Sequence, residues 1–176
     1  MKNLILSAAA LAVLGSVTLA DGHSVVRLGT EGAYPPYNFI NDAGEVDGFE
    51  RELGDELCAR AELNCEWVTN EWDSIIPNLV SGNYDAIIAG MSITDERMEV
   101  IDFSEAYTQP DPSAYLTMGD VDLENGVIAA QASTIQAAHV ASMAGATLLE
   151  FASPDETIAA VKAGEADAVL AGKAFL

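Results

Sequence analysis

The period of the hydrophobic positions changes several times along the chain, and these changes predict alternating strands and helices. Extended runs are predicted at 24–30, 65–69, 86–89, 113–118, 126–131, 146–151 and 167–171. Helices are predicted at 49–63, 72–80, 134–144 and 154–164, with a short helix after Thr94. Alternation on both sides of a proline-rich connector, residues 109–112, is typical of two small α/β units.

Local signals support several of these elements. Phe49, Leu53 and Leu57 recur at helical spacing, which predicts an amphipathic helix. Residues 153–156 combine an N-cap serine, a proline at the first helical position and a glutamate two positions later, the pattern of a capping box. Pro77 lies inside the predicted helix 72–80.

Residues 31–48 should form a turn followed by a hairpin. The segment 31–37 contains two adjacent prolines, so it cannot be helical. Residues 38–40 and 45–48 flank the turn-forming sequence 41–44, Asn-Asp-Ala-Gly. We therefore expect a hairpin-like excursion between the first strand and the first helix.

The first twenty residues have the pattern of a secretory signal peptide. A basic start at Lys2 precedes an apolar run, Leu4–Val17, and a small-residue cleavage pattern that ends at Ala20. No other segment approaches the ~20 apolar residues of a spanning helix, so membrane insertion is not expected. No cysteine lies near the cleavage site, which argues against a lipid anchor. The mature chain should be soluble and exported.

The charge is strongly negative. The chain has 28 acidic and 7 basic side chains, a net charge of −21. Removal of Lys2 with the leader would leave 28 acids against six bases, a net charge of −22. Nucleic acid and anionic membranes need clustered Lys and Arg, so neither is an expected partner. The field favours cationic small molecules, although a surface kept soluble in a salty setting would have the same composition.

The two cysteines lie seven residues apart in the exported part of the chain. An even count in an oxidising compartment suggests a Cys58–Cys65 disulfide. The histidines, His23 and His139, are distant in sequence, and no metal-ligand spacing is present, so no metal site is expected.

Residues 84–108 contain the strongest candidate for a binding site. A buried strand leads into a small-residue turn, Gly90–Ser92, and then into a short helix with Thr94 as its N-cap. Backbone N–H groups of the turn, the Ser92 hydroxyl and the Arg97 guanidinium suit a small carboxylate. The alternative is that Arg97 only pairs with a nearby acid on a solvated face.

Ligands of open α/β sheets bind at the carboxyl ends of strands. Four such ends can be read here: Glu31 with Tyr34, residues 70–72, residues 90–92 with Arg97, and residues 131–134. Together they would suit a small zwitterion with a cationic tail, with Arg97 on its carboxylate, Glu31 on its positive charge, and Tyr34 and Trp72 as aromatic walls. Alternatively, Trp72 is a core residue, Tyr34 stiffens a turn, and Ser133 and Thr134 only cap a helix.

Catalytic signals are weak, and no catalytic residue is assigned. The sequence has no Gly-x-Ser-x-Gly motif, and neither histidine lies in a motif with a nucleophile. No phosphate-binding glycine loop is present, and no cofactor is expected. An enzyme would have to work through Glu31 or Asp102.

The ordered motifs resemble the periplasmic amino-acid-binding proteins of bacterial ABC importers, the group that serves polar and basic amino acids and opines (solute-binding protein family 3). The resemblance extends from Val25 to Leu176. It rests on Gly29–Phe39, Gly48-Phe49, Glu56–Cys58 with Cys65, Trp72–Pro77, Tyr84–Thr94 with Arg97, and Asp102–Ser104.

The resemblance implies a periplasmic-binding-protein-like two-lobe α/β fold of type II that closes on a ligand without chemistry. Residues 21–110 would form lobe one, and 111–176 a hinge strand and a partial lobe two. The protein would be a periplasmic monomer that delivers an amino acid or opine to an inner-membrane ABC permease. Tyr34 and Trp72 would sandwich the ligand side chain, and Glu31 would bind its distal cation.

The same resemblance assigns residues to the α-amino and α-carboxylate groups, which all amino-acid ligands share. Gly90 and Ser92 would contact the α-amino and carboxylate groups, Arg97 would hold the carboxylate, and Thr134 would add an N–H and a hydroxyl. The cysteine pair matches the small-loop disulfide of the family.

The sequence departs from the family pattern in two places. Many members have an aspartate for the α-ammonium where this chain has Gly172. The family's chain continues for several dozen residues, so the end at Leu176 implies a truncated chain or a partial gene. The alternatives are a prephenate-type dehydratase or a ligand-reporting sensory domain on the same fold.

Overall fold

The computed structural model describes residues 25–176, and the predicted leader and its cleavage site lie outside them. The first part of the chain forms β1 (Val26–Thr30), β2 (Ala33–Tyr34), β3 (Asn38–Ile40), β4 (Val46–Asp47), α1 (Phe49–Arg60), β5 (Cys65–Thr69), a 3-10 turn (Trp72–Ser74), α2 (Ile75–Val80), β6 (Ala86–Ile87) and α3 (Asp95–Met98). The second part forms β7 (Ser113–Thr117), β8 (Val127–Gln131), α4 (Ile135–Ala141), β9 (Thr147–Phe151), α5 (Pro154–Ala163) and β10 (Ala168–Gly172).

These strands form three sheets. The first sheet has the order β5-β1-β6 and is parallel. The small antiparallel sheet β2-β3-β4 contains the predicted hairpin as β3 and β4, and adds β2 from the segment that was predicted as a turn. The second sheet has the order β7-β10-β8-β9, with β7 antiparallel to β10. Parallel strands end at one edge, so this topology collects Thr30 in one sheet, and Gln131 and Gly172 in the other, at carboxyl ends where ligands bind.

The core of the second sheet lies on both of its faces. On one face Ala129 and Val169 pack with Ala160 and Val161 of α5. On the other face Ile128 and Leu170 pack with Val140 of α4 and other apolar residues. Burial on both faces explains why β8 and β10 are continuous apolar runs.

Several predicted elements are confirmed with shorter bounds. Helix α1 ends at Arg60, and α4 ends at Ala141 with Thr134 as its N-cap. Helix α5 begins with the predicted capping box. The segment predicted as one helix at 72–80 is a 3-10 turn followed by α2, so Pro77 falls in the first turn of α2, where a missing N–H costs little.

The predicted apolar stripe of α1 is not the face that the helix buries. Phe49 and Leu57 are 43% and 52% exposed, whereas Glu50, Gly54 and Cys58 are buried. Gly54 lies so close to the Trp67 ring that an added Cβ would be 2.5 Å from it, and Cys58 is bonded to Cys65. Specific contacts, rather than hydrophobic period, orient this helix. The disulfide prediction is confirmed.

No helix in residues 25–176 has both the length and the apolar character needed to cross a membrane.

Candidate functional site

A cavity of about 390 Å³ lies between the carboxyl ends of the first and second sheets. All seven residues predicted for ligand binding line it: Glu31, Tyr34, Trp72, Gly90, Ser92, Arg97 and Thr134. Its lining, all within the described residues, contains one basic side chain, Arg97, and three acidic ones, Glu31, Glu105 and Asp111. The site therefore has an excess of negative charge around a single guanidinium.

Glu31 follows β1 and reaches across to the second sheet. Its Oε1 accepts a hydrogen bond from the Nε2 of Gln131, the last residue of β8. The same Nε2 donates to the Ala152 carbonyl at 3.0 Å, which fixes the amide orientation. Burial raises the pKa of Glu31 to about 7, the Gln131 hydrogen bond opposes this rise, and the nearby charge of Glu71 adds to it.

The Arg97 guanidinium lies over the Trp72 ring, and both of its hydrogen bonds within the described residues go to backbone oxygens. Its guanidinium carbon is 5.6 Å from the ring centroid, within cation–π range. One terminal nitrogen donates to the Ser92 carbonyl at 2.8 Å and the other to the Ser133 carbonyl at 3.1 Å. No carboxylate of residues 25–176 lies within salt-bridge distance of Arg97. The alternative of a solvated ion pair does not describe this side chain.

The guanidinium retains donors for a ligand. Arginine has five N–H groups, and the two carbonyl contacts use two of them. Burial lowers the pKa of Arg97 and the charge of Glu96 opposes this, but a guanidinium stays protonated. Trp72 is held in place as well, because its indole N–H donates to Ser133 at 3.2 Å. Arg97 can therefore bind a carboxylate from a fixed position.

The backbone N–H of Gly90 is already paired inside the protein. It lies 2.5 Å from Oε1 of Glu50 and 3.2 Å from the Tyr107 hydroxyl, which itself donates to the same Oε1. Asn38 donates to the other carboxylate oxygen at 2.7 Å. Glu50, which is fully buried, thus connects the hairpin, the turn and the segment that leads to the connector.

Thr134 acts first as a helix cap. Its hydroxyl donates to the Gln131 carbonyl at 2.6 Å and accepts from the Ala137 N–H at 3.1 Å. The hydroxyl that was expected to reach a ligand is therefore engaged within its own turn.

Tyr34 forms an aromatic wall of the cavity. Its ring stacks with the rings of Tyr37 and Phe175, at centroid distances of 5.6 and 5.7 Å. Its hydroxyl donates to Asp111 at 3.3 Å. Burial, with the Asp111 charge as the next cause, raises the pKa of Tyr34 above its ordinary value, so the hydroxyl remains a donor at neutral pH.

Four residues around the site were not assigned a role from the sequence: Glu50, Tyr107, Asp111 and Gln131. Gln131 could have been found, because it ends a predicted strand. Glu50 is one residue away from the apolar stripe of α1, and Asp111 lies in a connector with no motif. Tyr107, Asp111 and Gln131 line the cavity in the folded chain, and the buried Glu50 lies behind the Gly90–Ser92 turn.

The described residues contain no cluster of His, Cys, Asp and Glu that could hold a metal ion.

Comparison with known proteins identifies the class. Residues 26–123 match the bacterial extracellular solute-binding proteins, family 3. An L-arginine-binding protein of Pseudomonas aeruginosa is 34% identical over 182 residues, which cover 97% of this chain and 70% of that protein. An octopine-binding periplasmic protein of Rhizobium meliloti is 46% identical over 99 residues, which are 56% of this chain and 33% of that protein.

A solved structure is also similar. It is a periplasmic His/Glu/Gln/Arg/opine family-binding protein from Silicibacter pomeroyi in complex with lysine, 71% identical with a TM-score of 0.81. The match covers 84% of this chain and 67% of that one. The chain thus spans a third to about two thirds of the length of these relatives. By sequence and by its two-lobe α/β fold, it belongs to the bacterial extracellular solute-binding proteins of family 3.

Proposed function

We propose that this chain binds a polar, cationic amino acid or opine in the periplasm and presents it to the permease of an ABC importer. The observation that carries the proposal is Arg97, a guanidinium with unused donors in a cavity whose other charged groups are acids. A cationic amino acid has one carboxylate and two positive groups, so its charges complement this lining.

In this proposal each predicted residue has a role. Arg97 binds the α-carboxylate together with the Ser92 hydroxyl and the N–H groups at the start of α4, while Gly90, whose own N–H is paired with Glu50, holds the turn that carries Ser92. Trp72 and Tyr34 enclose the aliphatic part of the ligand, and Glu31 accepts its distal cation. The lobes divide near residues 110 and 111, and the leader is cleaved after Ala20. Capture requires no bond to be made or broken.

Titration calorimetry with arginine, lysine, ornithine, histidine, glutamine and octopine tests this function. Tightest binding of a basic member is expected, and tighter binding of glutamine would contradict the cationic preference. Arg97→Ala should weaken binding at least 100-fold, since a charge-assisted bidentate contact is lost.

Arg51→Ala is a matched control, because Arg51 also lies over a tryptophan, 5.7 Å from the Trp67 ring, but outside the cavity. It should leave affinity unchanged. Full affinity in the Arg97 variant would remove the carboxylate role.

A dehydratase is the second candidate, because Glu31 titrates near neutral pH inside a cavity, as a general acid does. Incubation with prephenate, followed by product detection, tests it directly. Turnover that disappears in Glu31→Gln would favour the enzyme over the binding protein.

A further inference from the structure

A bound amino acid needs an acceptor for its α-ammonium near Arg97, and the cavity offers three carboxylates. Glu31 is engaged by Gln131 and has the distal role in the proposed function. Glu105 is exposed to solvent. Asp111 is half-buried and is the remaining acid of the lining.

Tyr34 of β2 and the segment after β10 hold the Asp111 carboxylate in place. Its Oδ2 accepts from the Tyr34 hydroxyl at 3.3 Å and from the backbone N–H of Ala174 at 3.2 Å. Both contacts go to one oxygen, so within residues 25–176 the other oxygen, Oδ1, has no hydrogen-bond donor. A carboxylate with a fixed orientation and a spare oxygen is suited to accept an ammonium.

Position 172, at the carboxyl end of β10, cannot carry this acid in the present chain. A Cβ added to Gly172 would lie 2.6 Å from Oδ2 of Asp111 and would overlap the Tyr34 hydroxyl. Tyr34 cannot withdraw easily, because its ring is packed against the rings of Tyr37 and Phe175. The space that a side chain at 172 would enter is thus already filled by the Tyr34–Asp111 pair.

We propose that Asp111, in the connector between the two lobes, accepts the α-ammonium of the ligand and so distinguishes α-amino acids from their des-amino analogues. The inference rests on the proposed function and adds to it the recognition of the amino group. It also places one ligand contact on the connector itself, and not only on the two sheets.

The test removes either the α-ammonium from the ligand or the carboxylate from residue 111. Wild-type chain is titrated with lysine and 6-aminohexanoate, and with arginine and 5-guanidinopentanoate, pairs that differ only in the α-amino group. Wild type should prefer the amino acid by about 10- to 100-fold, the range for a charge-assisted hydrogen bond. In Asp111→Asn this ratio should fall below about threefold, while binding of the des-amino compounds changes little.

Glu105→Gln is the control, because it removes another acid of the lining and should keep the wild-type ratio. An unchanged ratio in Asp111→Asn would overturn the inference and leave the proposed function intact. No binding of any amino acid or opine by wild type would instead overturn the proposed function, and the inference with it. If thermal unfolding shows that Asp111→Asn is not folded, Asp111→Ser is measured instead. Its ratio of affinities for each amino acid and its des-amino analogue then tests the inference in the same way.

Discussion

The carboxylate of Glu31 and the side-chain amide of Gln131, one hundred residues apart in sequence, form a hydrogen bond between the two sheets. The amide is fixed by its second bond to Ala152, so it presents an N–H to Glu31 in either protonation state of the acid. The pair therefore holds the half-buried Glu31, whose pKa is raised to about 7, in place between the sheets.

Binding of lysine should depend on pH through Glu31. A cation binds the ionised carboxylate, and below its pKa of about 7 the ionised fraction falls. Affinity should therefore decrease about 50-fold between pH 7 and pH 5, and the slope approaches about tenfold per pH unit at the lower end. Lysine itself keeps its charge over this range, so calorimetry across the range reports on the protein.

Glu31→Gln should remove this dependence together with most of the affinity. Glu71→Gln is the matched control, because the charge of Glu71 raises the pKa of Glu31, and its loss should move the midpoint to lower pH. The stability of the ligand-free protein should depend on pH in the opposite direction from its affinity for lysine. Because the pKa of Glu31 is higher in the folded state than its ordinary value of 4.5, the free energy of unfolding should fall as pH rises from about 4.5 to 7. A pH-independent affinity for lysine would contradict the role of Glu31.

Glu50→Ala should destabilise the fold by about 3–5 kcal/mol. The substitution leaves the donors of Asn38, Gly90 and Tyr107 without their shared acceptor in the interior. Urea unfolding of the variant measures the loss. Glu52→Ala, on the exposed side of the same helix, should change stability by less than about 0.5 kcal/mol. Similar midpoints for the two variants would show that the buried network contributes little.

Gly172→Ala should destabilise by about 1–3 kcal/mol, because its methyl group overlaps the Tyr34 hydroxyl. In a Tyr34→Phe background the cost should be smaller, and a double-mutant cycle on thermal unfolding isolates this coupling. Gly119→Ala is the control, since an added Cβ there meets nothing within 4 Å. Equal destabilisation by Gly172→Ala in wild type and in Tyr34→Phe would show that the Tyr34 hydroxyl is not the group that the methyl group meets.

Replacement of both Cys58 and Cys65 by alanine should cost about 2.5 kcal/mol through the lost constraint on the unfolded chain. Neither residue lines the cavity, so the dissociation constant should stay within about twofold. Wild type in reducing agent should unfold at the same urea concentration as the variant. A large loss of affinity in the variant would show that the helix–strand bridge positions the site.

The sequence predicted the parts of the site that depend on local pattern. Arg97 follows a small-residue turn, Glu31 follows a strand, and Thr134 precedes a helical period, so parallel-sheet topology brings them together. The order of these elements depends on hydrophobic period and capping, both of which are local. Their roles towards a ligand remain predictions.

The sequence could not predict the contacts that depend on tertiary proximity. Glu50 reads as a solvated helix residue, and its burial depends on donors 12, 40 and 57 positions away. The face of α1 was misjudged for the same reason, because Gly54 and Cys58 contribute shape and a covalent bond rather than hydrophobic period. The position of the Asp111 carboxylate beside Tyr34 and Gly172 can be recognised only in the folded chain.

The shared acceptor on Glu50 has a consequence for amide hydrogen exchange. Gly90 is an exposed residue, yet its amide hydrogen faces a buried carboxylate and a tyrosine hydroxyl. Exchange with deuterium therefore requires the turn to separate from α1. The protection factor of this single amide would measure, without any ligand, how often the Gly90–Ser92 turn separates from α1.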